Sequence, residues 1–172
     1  MRTTFVMDPP PAVEDLIAER HALGQDLYDE VWEGEYHVAP APSGGHARIQ
    51  ARLIEVLRPL ALTAGLDGGG PCNVGGSTDY RVPDLAFIRD WRDEVWYPEA
   101  AIVVEIASPG DESRAKLDFY FRHGADEVLI VEPLAHTVEW LVRGLDGLHP
   151  ADGSVLLGIT SAELAASMDW PR

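Results

Sequence analysis

The sequence RVPDLAFI (residues 81–88), followed after an acidic linker by AIVVEI (residues 101–106), decides the fold. Both segments are short apolar runs of strand length, and the middle of the second is apolar on both faces, as in a central strand. A carboxylate marks each run: Asp84 follows a proline in the first, and Glu105 lies near the end of the second. The two runs therefore predict core strands that carry acidic groups at their ends.

Helices and further strands are predicted on both sides of these two runs. The clearest helix has an apolar stripe at helical spacing, formed by Ile49, Leu53, Val56, Leu57 and Leu60. The other predicted elements are helices over 13–23 and 112–123, a strand or hairpin edge over 30–38, strands over 127–132, 137–142 and 155–159, and a helical turn capped by Ser161. This order predicts an α/β protein with a central mixed β-sheet flanked by helices.

Composition limits the class of protein. A chain of 172 residues, 46% hydrophobic and 24% charged, is predicted to form one well-buried domain. We expect residues 1–25 to be a lead-in and helix, and residues 26–172 to be the domain itself. The single cysteine, Cys72, excludes an internal disulfide and a cysteine-based zinc site. No apolar run reaches the length of a membrane span, so a cytoplasmic protein with no membrane association is predicted.

Charge argues against strong binding to a polyanion. The chain has 13 lysines and arginines against 29 aspartates and glutamates, a net charge of -16. Affinity for nucleic acid comes mainly from neutralised phosphates, so the overall field repels such a ligand. A local positive groove remains compatible with this total, but we do not expect tight, unaided binding of DNA.

Three residues are candidates for chemistry, and each has a simpler interpretation. Asp84 either binds a ligand or caps the start of its strand. Glu105 is either a buried carboxylate that needs a cation or partner, or a strand-end residue that reaches solvent. Lys116 is either a solvated side chain beside an apolar helix face, or reaches the same pocket as both carboxylates. In that pocket it would orient an attacking water and stabilise charge on a phosphorane-like transition state.

The candidates belong to a set of motifs that extends over residues 28–142. The motifs lie at residues 29–36, 39–46, 81–88, 103–109, 116–120, 124–133 and 138–139. In order and spacing they resemble the Uma-type restriction-endonuclease family of the PD-(D/E)XK nuclease superfamily. The superfamily pattern places lysine two residues after the glutamate, where this chain has Ala107. The resemblance implies that Lys116, on the following helix, takes that place.

The resemblance implies a restriction-endonuclease-like core and a set of site residues. Asp84 and Glu105 would hold Mg²⁺ or Mn²⁺, with the backbone carbonyl of Ile106 and water completing the oxygen shell. Glu30 matches a family glutamate, either close to the site or structural. His46 matches another family position, and we favour a structural role at the start of its helix over a role in the site.

Three functions are consistent with these observations. The first is a metal-dependent endonuclease that hydrolyses DNA phosphodiester bonds. The second is a catalytically silent interaction or regulatory protein that keeps the nuclease fold, which the negative charge favours. The third is a nuclease whose DNA affinity comes from a partner. A homodimer, formed through an edge strand or through the linker that contains Trp91 and Trp96, is predicted by analogy with restriction enzymes.

Overall fold

A computed structural model describes residues 10–108, 110 and 112–170, together with the backbone of residues 3–5. Residues 1, 2 and 6–9 of the predicted lead-in, and Pro109 of one motif, lie outside the described residues. In the described part, the strands form two six-stranded sheets and a two-stranded ribbon. The sheet that contains residues 85–88 and 102–106 lies at the centre of the core and is called the central sheet.

The central sheet is mixed. Its two middle strands, β9 (Ile102–Ile106) and β10 (Glu127–Glu132), are parallel neighbours, and the other neighbouring pairs are antiparallel. In spatial order its strands are β12 (Leu148–Ala151), β11 (Thr137–Arg143), β10 (Glu127–Glu132), β9 (Ile102–Ile106), β7 (Leu85–Ile88) and β4 (Asp67–Gly70). Strand β9 is buried along its whole length, as expected for a strand apolar on both faces.

The second sheet is assembled from shorter strands. In spatial order they are β1 (Thr3–Phe5), β3 (Glu35–Val38), β2 (Glu30–Trp32), β6 (Asp79–Arg81), β5 (Asn73–Gly76) and β8 (Trp96–Tyr97). Strands β2 and β3 form a hairpin whose two turn residues, Glu33 and Gly34, both have positive φ angles of 50° and 92°. Positive φ at both positions is what a two-residue hairpin turn of type I′ requires, and glycine adopts it without strain. Of the two alternatives predicted for 30–38, a strand or a hairpin edge, the structure has the hairpin.

Four α-helices accompany the sheets in the described part. They are α1 (Pro11–Ala22), α2 (Gly44–Thr63), α3 (Leu117–Arg122) and α4 (Ser161–Ser167), and a 3-10 turn (Ser113–Lys116) leads directly into α3. Helix α2 begins at a serine cap, because Ser43 Oγ accepts a hydrogen bond from the backbone N–H of His46 at 3.2 Å. The cap fixes the first turn of α2 beside the start of β7.

Helices cover both faces of the central sheet. On one face the predicted stripe of α2 packs Ile49, Leu53 and Leu57 against Ile102 and Val104 of β9. On the other face Phe119 and Tyr120 of α3 form a second core with Ala86 of β7 and Val103 of β9. Because successive side chains of β9 point to opposite faces of the sheet, this one strand contributes to both cores. The predicted α/β fold with a central mixed sheet flanked by helices is confirmed.

An arginine links the second sheet to helix α3. The Arg81 guanidinium lies 4.6 Å from the ring centroid of Trp32 and 4.0 Å from that of Phe119. Phe119 in turn stacks on His123, with centroids 4.1 Å apart. Stacking a cation between two aromatic faces is favourable where water is excluded, and Arg81 is only 4% exposed. The stack fixes the position of α3 relative to β2 and β6.

Two predictions near the carboxyl end were wrong. Residues 155–158 form a turn rather than a strand, and they separate β13 (Gly153–Ser154) from β14 (Ile159–Thr160). Helix α4 is capped by Thr160 rather than Ser161, because Thr160 and Glu163 bond each other's backbone N–H groups in a capping box. The apolar residues of 155–159 had suggested a strand, although Val155 is largely exposed.

Within the described residues, no helix combines the length and the apolar character needed to cross a membrane. Strand β1 pairs with β3, so the chain before residue 10 contributes a strand to the second sheet. The division of the chain at residue 26 stays a prediction.

Candidate active site

Strand register brings the two predicted carboxylates together. Strands β7 and β9 are antiparallel, and Leu85 lies opposite Val104. The next position in this register places Asp84 opposite Glu105, one residue beyond the last pair. Directly opposite residues of an antiparallel pair point to the same face, with Cβ atoms about 5 Å apart. The proline before Asp84 lacks an N–H group, which is consistent with a position where the ladder ends.

Asp84 is held by the backbone and by helix α2. Its Oδ2 accepts a hydrogen bond from the backbone N–H of Ile106 at 2.7 Å, and its Oδ1 lies 2.6 Å from His46 Nε2. Gln50 donates to the backbone carbonyl of Asp84 at 2.8 Å. These contacts fix the carboxylate at the start of β7, where its side chain is 15% exposed.

His46 contributes to the site through both its backbone and its side chain. Its backbone N–H takes part in the cap of α2, which is the structural role that the sequence favoured. Its side chain also reaches Asp84, one of the predicted site residues. The position at the start of the helix is the cause of both contacts, because the first turn of α2 lies against the entrance of β7.

Glu105 lies in a very different environment. It is 4% exposed, and its Oε1 accepts hydrogen bonds from Lys116 Nζ at 2.9 Å and from the Tyr120 hydroxyl. Among the described residues, no donor contacts the second oxygen, Oε2. Burial raises the pKa of Glu105 to about 7, against the opposing effect of the Lys116 ammonium. The carboxylates of Asp84 and Glu30 raise the pKa further.

Lys116 connects Glu105 to Glu30. Its Nζ lies 2.8 Å from Glu30 Oε1, and the side chain is 1% exposed. Glu30 is itself fixed by the backbone N–H of Val82 at 2.9 Å and by the indole N–H of Trp32 at 2.7 Å. One buried cation between two buried carboxylates is the paired arrangement that buried charges require. The predicted residues Glu30, Glu105 and Lys116 thus form one buried cluster.

A cavity of about 300 Å³ opens beside the two carboxylates. Asp84, Glu105, Ile106 and His46 all line it, and the other walls come mainly from residues 39–43 and the segment after β9. Lys116 and Glu30 are not among the lining residues. The five predicted side chains therefore divide into three that face the cavity and two that lie behind Glu105.

The donor set fits a hard divalent cation with a water-rich shell. Two carboxylates and a backbone carbonyl are oxygen donors, and Mg²⁺ commonly binds one or two carboxylates and keeps several waters. Among the described residues no group of three or more His, Cys, Asp or Glu side chains is arranged around a common metal position. A cation here would take Asp84, Glu105 Oε2 and the Ile106 carbonyl, with water supplying the remaining ligands.

Sequence reasoning missed two residues that contact the site. Tyr120 donates to Glu105, and Gln50 donates to the backbone of Asp84. Each lies four positions after a residue that was predicted, Tyr120 after Lys116 and Gln50 after His46. Residues four apart on a helix lie on the same side, so this spacing was the signal that could have found them.

The central mixed sheet, the flanking helices and the paired carboxylates at the strand ends define a restriction-endonuclease-like protein. The profile of the Uma2 family, described as "Putative restriction endonuclease", matches residues 16–163. The chain therefore belongs to the Uma2 family, and this membership supports a nuclease. The predicted resemblance is confirmed by this match.

A solved structure shares the fold. It is described as a putative nuclease belonging to DUF820 from Anabaena variabilis ATCC 29413, and it superposes with a TM-score of 0.67. The match covers 81% of this chain and 90% of that chain, at 18% sequence identity. At this identity the likeness concerns the fold alone. No curated protein is a significant match to the chain.

Proposed function

We propose that the protein is a divalent-metal-dependent endonuclease that hydrolyses DNA phosphodiester bonds. The observation that carries the proposal is the shared cavity of Asp84 and Glu105, two carboxylates that the β7–β9 register places on one face. Family membership supports the same class of activity. Asp84, whose side chain is 15% exposed, is the more accessible of the two carboxylates to an approaching phosphodiester.

Each site residue has a proposed role. Asp84 and Glu105 are the metal ligands, together with the carbonyl of Ile106. When bound, Mg²⁺ or Mn²⁺ supplies a water of lowered pKa and neutralises charge on the phosphate. His46 holds the Asp84 carboxylate in place. Lys116 assists the attacking water from behind Glu105, by supplying positive charge, and Glu30 fixes Lys116.

DNA binding by the isolated chain is proposed to be weak. Every described arginine already has a carboxylate within 4.0 Å. The chain has a single lysine, Lys116, and it is buried in the site. A phosphate backbone would have to compete with these carboxylates for each cation, which lowers the electrostatic gain. We therefore propose that a partner carrying positive charge assists DNA binding.

The same observation favours a second candidate function. A protein whose described cations are all paired with carboxylates is also suited to a catalytically silent interaction or regulatory role. The two functions differ in turnover. A silent protein would keep the buried cluster for stability and would not cleave DNA when a metal is present.

Plasmid nicking separates the two functions. We expect wild type to nick supercoiled plasmid with Mg²⁺ or Mn²⁺ at low salt. The nicking rate of Glu105→Ala should be lower by about 100-fold or more, since even residues that contact a metal only indirectly change metal affinity or activity by about 10–100-fold. Glu99→Ala, at an exposed glutamate remote from the cavity, is the control and should keep full activity. Equal cleavage by wild type and Glu105→Ala would reject the proposed site, and no metal-dependent cleavage by wild type would favour the silent protein.

A homodimer is also proposed. Trp91 and Trp96, in the linker before and within β8, are 47% and 41% exposed, and β8 is the last strand of its sheet. Exposed aromatic side chains beside an unpaired strand edge are suited to an interface. Light scattering should give twice the chain mass for wild type, and Trp96→Ser should shift the mass towards the monomer.

A further inference from the structure

We infer that Tyr120 is a positioning residue for Glu105, acting with Lys116 as a two-donor clamp on one oxygen of that carboxylate. The inference rests on the proposed metal site and concerns how that site is kept ready. A carboxylate that binds a cation through one oxygen needs its other oxygen held, because free rotation would spread the ligand over several orientations.

The clamp is asymmetric between the two oxygens of Glu105. Oε1 receives both donors, the Lys116 ammonium at 2.9 Å and the Tyr120 hydroxyl. Oε2 has no donor among the described residues, although Glu105 lines the cavity that Asp84 also lines. A carboxylate with one oxygen fully occupied presents the other to the cavity. The two donors therefore select the orientation in which Oε2 is available to a cation.

Helix geometry brings the two donors to the same oxygen. Lys116 ends the 3-10 turn, and Tyr120 lies four positions later in α3, on the same side of the helix. Tyr120 is completely buried, so water does not compete for its hydroxyl. Burial and the adjacent carboxylates raise the pKa of Tyr120 well above its usual value, which keeps the hydroxyl protonated as a donor.

The remaining contacts of α3 keep the clamp in place. Phe119, the neighbour of Tyr120, packs against the Arg81 guanidinium on one side and His123 on the other. Glu30 also holds Lys116, because its Oε1 accepts a hydrogen bond from the ammonium at 2.8 Å. The hydroxyl of Tyr120 therefore approaches Glu105 from a helix that is fixed independently of the site. Removing that hydroxyl should free the carboxylate without displacing the helix.

The test compares Mn²⁺ affinity in wild type and Tyr120→Phe, measured by electron paramagnetic resonance of free Mn²⁺. We expect the dissociation constant to rise about 10-fold, the lower end of the effect of outer partners on metal sites. Tyr97→Phe is the matched control, because Tyr97 is also buried and donates its hydroxyl to a backbone carbonyl away from the cavity. Its Mn²⁺ affinity should equal that of wild type. Unfolding temperatures in EDTA report whether each variant is folded.

A second measurement uses the Glu105→Gln background. There, Tyr120→Phe should cause no further loss of Mn²⁺ affinity, because the carboxylate that it positions is gone. A Tyr120→Phe affinity within twofold of wild type, or an equal further loss in the Glu105→Gln background, would overturn the clamp and leave the metal site standing. Absence of Mn²⁺ binding by wild type would instead reject the proposed metal site, and the clamp with it.

Discussion

Asp84 and Glu105 lie opposite each other at the end of one strand pair, yet their surroundings differ. Asp84 is partly exposed and is held by a histidine and a backbone N–H. Glu105 is buried and is held by an ammonium and a hydroxyl inside the core. Both carboxylates line the cavity, but Glu105 is also tied to the buried core, whereas Asp84 lies on the more exposed side of the site. Three measurements test this difference between Asp84 and Glu105.

The largest effect is expected from removing the buried cation. Lys116→Met removes the ammonium that pairs with both Glu30 and Glu105, and breaking a buried ion pair in this way costs about 3–5 kcal/mol of unfolding free energy. Urea denaturation at pH 7 measures it. Arg114→Met is the control in the same turn, because the Arg114 pair with Glu139 is exposed and should contribute about 1 kcal/mol or less. Equal losses in the two variants would contradict the buried cluster.

A smaller effect is expected from pH. Burial raises the pKa of Glu105 from 4.5 to about 7, so the folded protein keeps this proton at pH values where the unfolded chain has lost it. Stability from this group is therefore present below pH 4.5 and is lost as pH rises through 7. A shift of this size corresponds to at most about 3 kcal/mol.

Other groups also titrate over this range, so the difference between wild type and Glu105→Gln isolates the effect. In EDTA, the unfolding free energy of wild type should fall more steeply from pH 5 to pH 7.5 than that of Glu105→Gln. Urea denaturation at each pH gives the two slopes. Parallel pH profiles would mean that Glu105 ionises normally in the folded protein.

The smallest effect is expected on the side of Asp84. His46→Gln removes the imidazole contact to a carboxylate that still keeps its hydrogen bond from Ile106 N–H. Because both partners are partly exposed, the unfolding free energy should fall by about 1 kcal/mol or less. The same urea experiment measures it. A loss as large as that of Lys116→Met would show that the two halves of the site do not differ in the way described.

The elements closest to the site could be predicted from sequence because their patterns are local. The apolar runs of β7 and β9 and the stripe of α2 each fit within a short window. The glycine-rich edge strand β4 of the central sheet and the short strands β5, β6 and β8 of the second sheet could not be found in this way, whereas the β2–β3 hairpin was covered by the prediction over 30–38. Glycine-rich β4 and β5 carry few side chains with strand preference, and their partners come from distant parts of the chain.

The sequence predicted which residues form the candidate site better than it predicted how they are arranged. The resemblance supplied Asp84, Glu105 and Lys116, but the sequence left open whether Lys116 is solvated or reaches the pocket. The ammonium lies behind Glu105, because the 3-10 turn before α3 points it towards Glu30. That contact joins residues 86 positions apart, and no local pattern encodes it.

The burial of Lys116 has a practical consequence for labelling. It is the chain's single lysine, and only 1% of its side chain is exposed. Amine-reactive dyes and lysine-directed cross-linkers would therefore find no lysine side chain on the folded protein, and lysine-specific proteolysis would have no accessible bond. Modification at Lys116 would become an indicator of opening of the core around Glu105, with no background from other lysines.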